Sequence, residues 1–380
     1  MNYFMRFDPY YKKLVHCFRS AGLVRKWSIG NNTYEVRPTI HAIHHKLTET
    51  ILTFTIPNGM DPKSVHKVDY AFRQEFGENT AVDGDLKKFT IHVYKNRMPK
   101  SLSYSWSLVE PAIDGLMLPI VTGMDLAGHM QAFDLQAFPH ILVAGSSGYG
   151  KSSALRAMLT TLMLSKSPDE LRFVLGDLKY SELTLFRGYV HVESVSTSAP
   201  TLAIELAKVR KELDRRGKML ENARALKTSD IGGIPDIIVC IDEVWLLKND
   251  KEVMQLLDDI SAIGRALGVY LILSMQRPDA TVLDGALKNN LNVRISFKQT
   301  SKINSKIILD ESGAENLPCP GRAIVKTNVT SVVQAPFLTA DRVDKLLGHL
   351  YTPVASALPD EVLEQESGQQ FGILEQDDDD

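Results

Sequence analysis

Eight residues, Gly145-Ser146-Ser147-Gly148-Tyr149-Gly150-Lys151-Ser152, restrict this chain more than any other stretch. They follow an apolar run, His140 to Ala144, and open a helix-forming stretch, Ser153 to Leu164. This is the GxxxxGK[ST] pattern in the strand–loop–helix setting it requires. Glycines let the backbone curl so that its N–H groups converge on an anion. The following helix adds the positive end of its dipole. Lys151 can reach the β- and γ-phosphates of ATP, and the Ser152 hydroxyl can hold Mg²⁺. The expected nucleotide cradle runs from Gly145 to Ser153.

Downstream, strands and helices alternate. Leu171 to Asp177, Asp236 to Asp242, Val269 to Met275 and Val293 to Phe297 read as strands. Pro200 to Asn222 reads as a helix with Leu202, Leu206, Val209, Leu213 and Leu220 on one face, and Lys251 to Ala266 as another. Such alternation predicts an α/β fold, a mostly parallel sheet with helices on both faces. Ligands then bind at the carboxyl ends of the strands. The strand ending in Asp242-Glu243 is the expected partner of the phosphate loop, 91 residues after Lys151. Asp242 would hold the Mg²⁺ shell, and Glu243 would orient and deprotonate the attacking water. Taken alone, an Asp-Glu pair there also suits a helix cap. Gln276, ending the next strand, is placed like a γ-phosphate sensor or is a plain loop amide.

The 380 residues suggest roughly two or three domains. Residues 1–115 read as a small α+β unit, 116–350 as the nucleotide domain and 351–380 as an acidic, disordered tail. In the first unit, Tyr10 to Ala21 suggests a helix, and short strands flank Gly30-Asn31-Asn32. Thr50 to Pro57 and Lys88 to Tyr94 read as strands, and Asp61 to Phe76 as one helix. Its histidines, His41, His44, His45 and His66, lack carboxylate or cysteine partners at metal-binding spacing. Cys17, Cys240 and Cys319 are far apart, which points to a reducing cytoplasm rather than a disulfide framework. No apolar run reaches the ~20 residues of a membrane span. Nine acids and no Lys or Arg lie between Asp360 and Asp380; with a net charge of −3 overall, the rest carries +6. A mildly basic body suits a polyanionic partner. The tail is a solubilising segment, a competitor for a basic site or a docking peptide for a protein partner.

Six stretches make a sharper pattern: Pro139 to Ser152, Gly176 to Leu183, Cys240 to Glu243, Gly264 to Tyr270, Ser274 to Pro278 and Arg294 to Asp310, followed by Ser312 to Leu317. In this order they resemble the motor domain of the FtsK/SpoIIIE family of DNA translocases, over roughly residues 116–340. The resemblance implies a RecA-like P-loop fold and a ring, usually a hexamer, around DNA with ATP at the subunit boundaries. Arg265 matches the family's trans-acting arginine finger; a permanently charged guanidinium suits the γ-phosphoryl transition state. Read alone, it is an exposed helix-end arginine. Arg277, Lys288, Lys302 and Lys306 match basic residues of two pore-lining segments, or are ordinary solvated charges. Such cations grip phosphates without reading sequence.

The family's membrane region and its sequence-reading winged-helix domain have no counterpart in these residues. The expectation is therefore an ATP-driven DNA translocase of a plasmid, integrative element or phage, serving conjugative transfer, replication or packaging. Two alternatives stand beside it: a single-motor relative of protein-secretion ATPases, and a nucleotide-gated DNA-binding assembly factor.

Overall fold

The computed structural model describes residues 3–29, 32–279 and 286–352. The expected acidic tail therefore lies almost wholly outside the described residues.

The centre of the molecule is a ten-stranded sheet. Six neighbouring strands run parallel, in the order Val192–Ser196, Leu171–Asp177, Asp236–Asp242, Val269–Met275, Ile141–Ala144 and Val293–Ser296. Four antiparallel strands extend it: Arg322–Lys326, Thr330–Gln334, Pro119–Met124 and Met130–Asp134. The parallel strands are apolar almost without break because both faces are covered. Successive side chains go to opposite layers. Ile141 and Val143 join a core with Leu155, Leu159 and Leu162 of the helix Lys151–Ser165. Leu142 and Ala144 face the opposite core. There the helix Ala199–Ala223 buries Leu202, Leu206, Val209 and Leu213, with Leu220 partly covered, and the helix Lys251–Ile263 buries Val253, Leu257 and Ile260. Each fully buried Leu or Ile contributes about 1.5–3 kcal/mol, so the two layers fix the sheet and the loops at its carboxyl edge.

A second, four-stranded antiparallel sheet has the order Thr39–His45, Glu49–Thr55, Lys88–Tyr94, Thr80–Asp83. It has a separate core, built with the helices Pro9–Ser20 and Asp69–Phe76. That core runs to Val93, whereas Tyr104, Val109 and Ile113 pack into the large sheet's core. Packing therefore changes hands between Tyr94 and Tyr104, ahead of the break at residue 115 expected from the sequence.

Two local expectations need correction. Asp61 to Phe76 is two helices, Lys63–Lys67 and Asp69–Phe76, because Val68 leaves helical geometry (φ −105°, ψ 17°). The helix from Lys251 stops at Ile263, where the Gly264 turn hands the chain to the next strand through a bond from Val269 N to Gly264 O of 2.9 Å. The strand Thr39–His45 leaves little signature in the sequence, because most of its residues are exposed and show no clean apolar alternation. Two of its histidines have ordinary partners: His41 meets Thr55 Oγ1 at 2.8 Å and His45 meets Asp8 at 2.8 Å.

Candidate functional site

The phosphate loop leaves the end of Ile141–Ala144 and enters the helix Lys151–Ser165 through Gly150, which is left-handed (φ 105°). Close approach requires the glycines here. A Cβ on Gly145 would sit 2.6 Å from Phe297 Cβ, and one on Gly150 would sit 3.0 Å from Gly321. Ser147 and Gly148 are exposed, and Gly148 has φ 80°. The loop is fastened at its base, where Ser146 N donates to Lys298 O at 2.9 Å and Gly321 N to Tyr149 O at 2.9 Å. No side chain caps the helix at Gly150. Its first-turn N–H groups therefore suit an anion, which is the fit a triphosphate needs. Ser152 is half-buried at the head of that helix. Ser153 is committed elsewhere: its hydroxyl accepts from Leu338 N at 2.6 Å and lies 3.3 Å from Pro336 O. Of the cradle residues expected from the sequence, it offers only its backbone to the loop.

Four buried polar side chains meet beneath the loop. Lys151, 3% exposed, places Nζ 2.5 Å from Asp242 Oδ1, 3.0 Å from Ser274 Oγ and 3.3 Å from Glu243 Oε1. Ser274 Oγ also donates to Asp242 Oδ1. Buried charges persist only when paired and hydrogen-bonded, and this cluster satisfies that condition. The register explains it: Leu273 and Ser274 lie on the strand flanked by those of Val143 and Ile241, so all these groups end at one edge.

Glu243 is wholly buried and left-handed (φ 57°, ψ 47°), a costly conformation for a non-glycine residue. Its Oε2 is held by two donors, Trp245 Nε1 at 2.7 Å and the main-chain N–H of Gln276 at 3.1 Å. Its Oε1 has no hydrogen bond and faces Lys151 at 3.3 Å and Lys179 at 3.6 Å. One oxygen is thus anchored, and the other is turned toward two ammonium groups. For Gln276 the structure brings the backbone to Glu243.

Three members of this cluster escaped the sequence reading. Trp245 and Ser274 look like ordinary apolar-run and strand residues. Lys179 sits in the turn after Leu171–Asp177, and Asp177 organises that turn. The Asp177 carboxylate accepts four backbone N–H bonds, from Ser181, Glu182, Leu183 and Thr184, at 2.9–3.1 Å. Burial alone would raise its pKa, but these N–H groups hold it below the usual value. The Asp-x-Lys spacing, with Asp177 beside Asp242 in the register, is the signal that could have found Lys179.

Arg265 is not part of this cluster. It is exposed, just ahead of Val269–Met275, at the amino end of that strand, whereas the phosphate loop lies at the carboxyl end. Seven residues span about 20 Å. There Arg265 lines a cavity of about 480 Å³ with Lys227, Asp236 and Tyr270. The four other cations differ in setting. Arg277 is exposed, and Lys302 and Lys306 are exposed one turn apart, in the first and last turns of the helix Lys302–Leu309. Lys288 is held by Asp310, 2.9 Å from its Oδ1, and Asp310 also pairs with Arg294.

Residues 114–247 match the FtsK/SpoIIIE family. The DNA translocase FtsK of Rickettsia typhi is 31% identical over 293 residues, 66% of this chain and 40% of that protein. The DNA translocase FtsK of Helicobacter pylori strain J99 is 34% identical over 246 residues, 60% of this chain and 29% of that protein. This chain thus spans two fifths or less of the length of these two relatives. Among solved structures, the pCW3 conjugation coupling protein TcpA, in a monomer form with ATPγS, superposes with a TM-score of 0.60 at 21% identity. That likeness covers 90% of this chain and 99% of TcpA. The cytoplasmic domain of the type VII secretion ATPase EccC of Thermomonospora curvata gives a TM-score of 0.56 at 25% identity, over 64% of this chain and 32% of EccC. At the identity of TcpA, the likeness is one of fold.

Proposed function

We propose that the chain is an ATP-driven DNA translocase motor, on the premise that residues 114–247 match the FtsK/SpoIIIE family and that the phosphate loop sits in a mostly parallel sheet. The observation that carries this reading is the buried Lys151–Asp242–Glu243 cluster beneath the phosphate loop. In the proposed reaction the loop N–H groups and Lys151 hold the β- and γ-phosphates. Mg²⁺, held by Ser152 and Asp242, would supply charge neutralisation on the phosphate oxygens. Glu243 accepts the proton of the attacking water as the new P–O bond forms and the bond to ADP breaks.

Arg265, a full strand length from its own loop, serves the site of a neighbouring copy in this reading, which calls for a ring. DNA passes through that ring, gripped by Arg277, Lys302 and Lys306, with Lys288 recruited from Asp310. Contact through phosphates makes binding salt-dependent and largely blind to sequence. The setting we propose is a mobile element or phage, in the cytoplasm. No helix of the described residues is long and apolar enough to cross a membrane. A protein partner at the acidic tail belongs to the same proposal.

The deciding experiment is ATPase activity with and without duplex DNA across a salt series. Stimulation by DNA is expected, with Lys302→Ala plus Lys306→Ala keeping basal turnover but losing the stimulation. Each lost phosphate contact should lower the salt slope by about one. Turnover that ignores DNA would favour the secretion-type reading suggested by the likeness to EccC.

A further inference from the structure

The N-terminal unit carries a two-stranded ribbon, Arg25–Ile29 and Asn32–Val36, that pairs with no other strand among the described residues. An isolated two-stranded ribbon is marginally stable in water. This one is tied down by polar contacts at its edges. Arg25 Nη1 donates to Asn58 O at 2.9 Å, and Glu35 pairs with Arg19 at 3.0 Å and Lys26 at 4.0 Å. None of its described side chains enters the core beneath the neighbouring four-stranded sheet.

Trp27 and Tyr34 are direct cross-strand partners, with rings stacked at 5.8 Å and 19°. Each is 45% exposed. Large aromatics are expensive to leave in water, and these two lie outside every core cluster of the fold. Beside them lies a groove of about 430 Å³, lined by Arg25, Lys26, Trp27, Val36, Pro57 and Asn58. Between Arg19 and Arg37 the chain has four cations, Arg19, Arg25, Lys26 and Arg37, and one acid, Glu35. An open π-face, a groove of small-ligand size and a surplus of cations are the parts of a single-strand binding platform: bases stack and phosphates meet charge.

We propose that this ribbon binds single-stranded DNA, stacking a base on Trp27 and Tyr34 and pairing the adjoining phosphate with Arg25, two residues from Trp27 and on the same face of its strand. The site lies outside the family-matched segment, and it stands or falls apart from the motor reading.

The test uses the full chain carrying Lys302→Ala and Lys306→Ala, so that the proposed pore contributes little. Binding of a labelled oligodeoxythymidine is measured by anisotropy. Adding Trp27→Ala and Tyr34→Ala should weaken binding about tenfold or more, whereas Trp27→Phe should keep most of it. Adding the Trp27 and Tyr34 substitutions should leave basal ATPase at the level of the parent variant, since the ribbon lies outside the nucleotide site. Equal affinity of the alanine variant overturns the proposal. So does an equal loss on duplex DNA, whose paired bases are not free to stack on the ribbon. A loss of self-association in place of DNA binding also overturns it and assigns the ribbon to a second copy of the chain.

Discussion

The two ends of the strand Asp236–Asp242 carry the same side chain in opposite settings. At the carboxyl end Asp242 meets the Lys151 ammonium at 2.5 Å and the Ser274 hydroxyl, all within the protein interior. At the amino end Asp236 receives a neutral donor, Gln136 Nε2, at 3.1 Å. There burial dominates and pushes its carboxyl up to about 6, with Arg216 and Lys166 only partly offsetting it. At the amino end burial outweighs what the Gln136 amide and the two cations return, so the neutral carboxyl is favoured there. The first end is equipped to handle phosphate. The second holds Arg265 at an open cavity, a guanidinium with no phosphate loop of its own nearby.

If the two ends belong to neighbouring sites, the largest effect is at the far one. Arg265→Ala should lower ATP turnover by about 10³-fold, with nucleotide binding retained. Mixing it with Lys151→Ala chains should restore part of the activity. Demonstrated mixed oligomers without any recovery would remove Arg265 from catalysis in trans.

At the near end, Glu243→Gln should bind ATP normally and lose about 10²–10⁴ in turnover, the range for a general base. Near-normal steady-state hydrolysis would mean that another group takes the proton.

A smaller change should follow from Trp245→Phe, which keeps an aromatic ring but removes the indole N–H that fixes Glu243 Oε2. kcat should fall about tenfold, while KM for ATP and thermal stability hardly move. A matching rise in KM would show that Trp245 shapes the nucleotide pocket instead of positioning the carboxylate.

The smallest effect sharpens the contrast itself. The folded pKa of Asp236 lies above its unfolded value, so the folded state binds the extra proton. Its contribution to stability is full below about pH 4 and is lost as pH rises through about 6. Asp236→Asn should therefore stabilise the protein by about 1–2 kcal/mol at pH 7–8, with the gain vanishing near pH 4. Denaturant midpoints across that range read it directly. A constant difference at every pH would assign the effect to packing.

Much of this was legible in the chain because its signals are local. The strands Leu171–Asp177, Asp236–Asp242 and Val269–Met275 end where their apolar runs end. The break at Val68 and the strand Thr39–His45 were not legible. One is a backbone angle, and the other is a strand mostly open to solvent.

The sequence by itself determined the phosphate loop, the Asp242-Glu243 pair and the alternation that makes a parallel sheet, because glycine spacing, residue order and apolar period are properties of neighbouring residues. Only the tertiary structure decided that Trp245 and Gln276 N grip one oxygen of Glu243 and that Lys179 faces the other. It also decided that Ser153 is spent on Leu338 and Lys288 on Asp310, and that Arg265 stands at the opposite edge from its own phosphate loop. These depend on which strands become neighbours and in what register. Chain-distant packing sets that, and it leaves no pattern in any one stretch of sequence.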